Sequence, residues 1–98
     1  MSSEETLEET FTIVGTAKSP SGMYKVRWTN DLIGHYKRIY KQGCRDIEFF
    51  ETPEPMNKLD ALTWMINNHE LTGEAMEVAF IKKMEKLRHF RKQKVASN

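Results

Sequence analysis

From Thr10 to Ser19 the chain reads TFTIVGTAKS, and its side chains fall into two alternating sets. Phe11, Ile13, Gly15 and Ala17 share one side; Thr10, Thr12, Val14 and Thr16 share the other. A period of two is the signature of a strand. MYKVRWT repeats it, with Tyr24, Val26 and Trp28 on one side and Lys25 and Arg27 on the other. Ser19-Pro20-Ser21-Gly22 separates the two runs. Pro20 presets φ for the second position of a type I turn, and Gly22 supplies the left-handed residue that completes a three-residue hairpin loop. The pattern therefore predicts a β-hairpin.

The period then lengthens. Asn30 is suited to an N-cap and Asp31 to a first helical turn. In DLIGHYKRIYKQ, Leu32, Ile33, Tyr36, Ile39 and Tyr40 form an apolar stripe, while Lys37, Arg38 and Lys41 lie off it. Gly43 stands where a C′ glycine would stop the helix. CRDIEFFET returns to alternation, with Ile47 and Phe49 opposite Asp46, Glu48 and Phe50. Pro53 and Pro55 impose an extended segment. Asn57 is the expected cap of a helix over KLDALTWMINN, and Thr72 that of a last, long helix. Met76, Phe80, Met84 and Leu87 are spaced four, four and three apart, which predicts the buried stripe of that helix.

The expected fold class is α+β in the order ββαβαα: a three-stranded, mostly antiparallel sheet with helices packed on one face. Strand order 2-1-3 is preferred to a crossover onto a parallel neighbour. Gly15 and Ala17 would let helices approach a central strand. The second sheet face is expected to stay open, shared by Lys25, Arg27, Val14 and Phe50. The expected core comprises Trp28, Ile39, Ile47, Phe49, Leu62 and Phe80. Residues 1–9 are expected to be a disordered acidic tail, and 10–95 a single domain ending in a basic helix.

Composition supports one domain and adds an asymmetry. The chain has 98 residues, 39% of them hydrophobic and 30% charged, with a formal net charge of +1. Near-neutrality gives no global field for nucleic acid or membrane. Yet Ile81–Asn98 holds seven Lys or Arg residues and a single acid, Glu85, while Glu4, Glu5, Glu8 and Glu9 crowd the opposite end. A helix dipole accounts for one or two terminal cations, at about 0.3–1 kcal/mol each, and not for seven. Lys82, Lys83, Lys86, Arg88, Arg91, Lys92 and Lys94 are thus the candidate interaction surface. Three readings fit them: a solvated helix end, a contact for an acidic protein surface, this protein's own Glu-rich tail included, or a contact for phosphates.

No other pattern points to chemistry. Cys44 is the one cysteine, so an internal disulfide is excluded and an intracellular, cytoplasmic setting is expected. Cysteine with histidine can form a nucleophile pair, but nothing in the sequence brings Cys44 to His35 or Asp46. His35, His69 and His89 have no ligand spacing, and no glycine-rich phosphate loop is present. The chain therefore reads as no enzyme, with no cofactor and no metal. It reads as a small non-enzymatic interaction or regulatory protein. Its Met and Trp content suits a homodimer interface, expected at the open sheet face, a strand edge or the exposed part of the last helix. The alternatives are a nucleic-acid-binding protein using the basic helix, with weak and sequence-independent affinity, and a small enzyme whose site is not readable from sequence.

The block GCRDIEFFETPEPMNKLDAL, through Gly43, Asp46, Ile47, Phe49, Pro53, Pro55, Met56 and Lys58, resembles small uncharacterised proteins of marine cyanobacterial phages. It covers about a fifth of the chain. The resemblance implies a small accessory protein and carries no activity with it.

Overall fold

The structure is a computed structural model that describes residues 9–96, with side chains to His89. The acidic tail expected over 1–9 lies outside the described residues except for Glu9. The elements are β1 (Phe11–Lys18), β2 (Tyr24–Thr29), α1 (Leu32–Lys41), β3 (Arg45–Met56), α2 (Lys58–Asn68) and α3 (Gly73–Ala96). Both strand pairs are antiparallel and the order is β2-β1-β3, so the expected α+β class and strand order hold.

The hairpin forms for the reasons its sequence gives. Lys18 pairs with Tyr24, and the amide N–H of Gly22 donates to the Ser19 carbonyl at 2.8 Å. Gly22 sits at φ 93°, the left-handed region a side chain resists. The β1–β3 ladder slips twice. One slip falls at Asp46, at φ 52°, whose carboxylate accepts from the Tyr24 hydroxyl at 3.1 Å. The other lies between Phe11 and Ile13, whose partners are Met56 and Glu51, so β3 bulges around Pro53 and Pro55. Gly15 serves β3 rather than a helix: a Cβ there would collide with the Glu48 carbonyl oxygen and with Phe49.

The helix ends are closed by side chains and by one glycine. Asp31, not Asn30, caps α1, accepting from the amide of Gly34 at 3.1 Å. Asn30 instead clamps the start of β1, accepting from the amide of Thr12 and donating to the carbonyl of Thr10. Gly43 follows α1 at φ 105°. Its N–H donates to the Tyr40 carbonyl, and that of Cys44 to the Ile39 carbonyl, the two bonds of a Schellman ending. Asn57 and Thr72 cap α2 and α3 as their positions predict.

Both sheet faces are covered, which departs from the expectation of helices on one face and an open second face. On the first face Val14 and Val26 meet Ala61, Leu62 and Met65 of α2 and Ala79 of α3. Val14 and Phe50, expected on the open face, belong to this packed one. On the second face Ala17 meets Ile39 of α1 and Cys44, flanked by Ile47 and Phe49. The connection after β2 swings its helix across the sheet, because Ile13 and Ala17 of β1 turn their side chains away from α2 and α3.

Of the expected core, Ile39 and Leu62 are buried, and Trp28, Ile47 and Phe49 are half-buried. Phe80 is 54% exposed, as its neighbours Ile81 and Met84 are exposed. The stripe that packs in α3 is one residue back: Ala75, Val78 and Ala79. Small residues win because alanine lets the helix backbone settle close to β2 and α2, where a phenylalanine would hold it off.

Candidate functional site

Two surfaces and one interior cluster hold the side chains that chemistry or recognition could use. The first surface is the outer face of α1. Only Ile39 of its apolar stripe faces inward. Ile33 is 67% exposed, and Leu32, Tyr36 and Tyr40 also face solvent. Tyr36 and Tyr40 stack on each other, with ring centroids 6.2 Å apart and planes at 11°. The guanidinium of Arg45 lies 4.1 Å from the Tyr40 ring centroid, a cation–π contact. Leu32, Ile33, Tyr36, Lys37 and Phe49 line an open apolar depression of about 550 Å³. Hydrophobic periodicity found this stripe and placed Ile39 alone of it in the core; periodicity marks a face and does not say what meets the rest.

The second surface joins α3 to β2. Past Ala79 the side of α3 that faces β2 changes from alanine to lysine, at Lys82 and Lys86. Lys82 pairs with Glu85 at 3.6 Å. The ammonium of Lys86 lies 5.6 Å from the Trp28 ring centroid, and that of Lys58, at the start of α2, lies 5.1 Å from it. Lys58 also lies 6.0 Å from the Phe11 ring. The Trp28 indole is fixed by its Nε1–H, which donates to the Lys58 carbonyl at 3.1 Å. Burial lowers the Lys86 pKa below the ordinary lysine value. The charges of Lys58 and Lys82 add to that, and Glu85 opposes it. A groove of about 440 Å³ runs alongside, lined by Tyr24, Lys25, Trp28, Ile81 and Lys82 among others.

The candidate residues of the basic helix divide accordingly. Lys82, Lys83 and Lys86 are half-buried against the body of the domain, and Arg88 is exposed. The side chains of Arg91, Lys92 and Lys94 lie outside the described residues. Lys58 was missed by sequence reasoning, which sought cations within one run and so overlooked one at the start of another helix. The alternation of Trp28 on β2 pointed to that face without naming its neighbours.

The interior cluster lies under α1. Cys44 is a buried free thiol, and an Arg27 guanidinium nitrogen approaches its Sγ at 3.9 Å. His35 turns inward on α1, its ring edge-on to Phe49 at 5.6 Å. Its Nδ1 lies 3.2 Å from Arg38 Nη1; guanidinium only donates, so Nδ1 accepts and Nε2 carries the proton. That Nε2 is buried without a partner among the described residues. Burial first, then Arg38 and Arg27, hold the His35 pKa below its ordinary value of 6.5, with Asp31 opposing. A neutral imidazole flanked by two guanidiniums lacks the carboxylate that would orient it as a base.

His69 stacks on Phe50 at 4.0 Å and meets Trp64 edge-on at 4.9 Å, an aromatic packing role. Among the described residues no group of three or more His, Cys, Asp or Glu could hold a metal ion, and no helix is long and apolar enough to cross a membrane. No protein-family model, no curated protein and no solved structure matches the chain.

Proposed function

We propose that this is a small non-enzymatic interaction protein whose working surface is the outer face of α1, with a second copy of the chain as its partner. The supporting observation is the stripe of Leu32, Ile33, Tyr36 and Tyr40, which turns to solvent beside an apolar depression. Fully burying one such side chain is worth about 1.5–3 kcal/mol. Charge favours a like partner. Asp31 stands at the N-terminus of α1, and Lys37, Arg38 and Lys41 occupy its second half. Two copies of the helix laid antiparallel about a twofold axis bring the acidic end of each beside the basic end of the other. Ten residues span about 15 Å. A helix pair of that length falls short of the ~800 Å² per partner of a stable interface, so the dimer is weak and forms with rising concentration.

An accessory role, as the phage-protein resemblance of Gly43–Leu62 implies, belongs to the same proposal. So does a cytoplasmic setting, which suits a single buried thiol at Cys44.

Sedimentation equilibrium across the micromolar range tests the reading. Native protein should pass from monomer to dimer, and Ile33→Glu should remain monomeric with unchanged circular dichroism. Monomer alone at high micromolar concentration overturns the reading; so does a dimer that Ile33→Glu leaves intact.

A further inference from the structure

Among the described residues, the lysine pair on Trp28 has no carboxylate to answer its charge. Lys58 and Lys86 come from different helices, yet both ammonium groups lie within 6 Å of one indole centroid. Among the described residues the one carboxylate in ion-pair contact nearby, Glu85, is engaged by Lys82. Among the described residues three ammonium groups thus share one acid, and neither Lys58 nor Lys86 has a carboxylate at ion-pair distance. An indole face attracts one cation well; a second beside it adds repulsion that an anion relieves better than solvent does.

The surroundings suit an extended anion better than a small one. The groove between β2 and α3 is lined by the rings of Trp28 and Tyr24 and by Lys82, whose charge Glu85 partly offsets, with aliphatic side chains between them. Rings beside cations in one groove are how backbones of single-stranded nucleic acids are tracked, with cations on phosphates and rings on bases.

We propose that Lys58 and Lys86, converging on Trp28 at the mouth of the β2–α3 groove, form a phosphate-binding site for the backbone of a single-stranded nucleic acid. Lys82 continues the track along the groove. The site lies on the sheet face opposite α1, so it operates independently of self-association. It also moves the anion-binding part of the protein from the end of α3 to its middle. No base edge is read by these groups, and binding is therefore indifferent to sequence.

Fluorescence anisotropy with a labelled oligothymidylate tests the proposal on the full chain. The native protein should bind with a dissociation constant of about 1–100 μM near physiological salt. Lys58→Gln and Lys86→Gln should each weaken binding about fivefold. Each should also flatten the slope of log K against log salt by about 0.7. Lys86→Arg should restore affinity, and Lys37→Gln on α1 should change nothing. Calorimetry with inorganic phosphate alone separates the two sources of phosphate: the proposal expects it to bind more weakly than the oligonucleotide, and tighter binding of free phosphate overturns the assignment to a nucleic-acid backbone. The proposal also fails if the native chain shows no saturable binding, or if Lys58→Gln and Lys86→Gln bind as the native does. It fails equally if Arg91→Gln, Lys92→Gln and Lys94→Gln together abolish binding that those two variants keep.

Discussion

The two faces of the sheet use the same β1 strand for different ends. On one side Val14 is sealed beneath Leu62 and Met65 of α2 and Ala79 of α3, and all four are fully buried. On the other side Ala17 meets Ile39 and Cys44, and the remaining large residues of α1 point outward. The first face closes its apolar surface within the chain. The second closes only part and presents the rest. The first face therefore holds the larger core, and the second leaves apolar surface in solvent.

Leu62→Ala should give the largest loss, about 3–5 kcal/mol in urea denaturation, because α2 and the sheet cannot collapse around the void. A loss under 1 kcal/mol would erase the distinction between the faces. Ile39→Ala should cost less, about 2–3 kcal/mol, since α1 lies at a smaller cluster and can settle inward. If it unfolded the chain outright, the second face would have to be counted as equal core.

A smaller effect should come from pH. Folding lowers the His35 pKa below 6.5, so the unfolded chain takes up its proton first as pH falls. The contribution is complete above about pH 6.5 and declines as pH drops toward the folded value, where it levels off. His35→Gln should flatten the stability curve over that window relative to the native protein; parallel curves would mean that the ring is solvated in the folded state. The smallest change should come from Phe80→Ala, within about 0.5 kcal/mol, because the side chain is largely in solvent. A loss of several kcal/mol would put the outer face of α3 in a core.

The sequence was most readable where one residue type has one use. Pro20 and Gly22 specified the hairpin, Gly43 the end of α1, and Asn57 and Thr72 the starts of α2 and α3. Alternation in TFTIVGTAKS correctly divided β1 into two sides, but both sides proved to be packed. Size misled the reading of α3. Phe80 and Met84 dominate any hydrophobic pattern, whereas Ala75 and Ala79 make the contact because they are small. The candidate sites were less readable still. The basic run was plain, but the convergence of Lys86 with Lys58 on Trp28 joins residues far apart along the chain. Such a meeting depends on how the elements pack, which no local spacing records.

The bulged end of β3 sets a limit on how copies of this chain can assemble. Its sheet edge carries Pro53 and Pro55, two positions without an N–H, with the exposed acids Glu51 and Glu54 beside them. A strand from another molecule laid along that end would lose donors at both prolines and meet negative charge. This stretch is thus a poor template for open-ended, filament-like growth through backbone pairing.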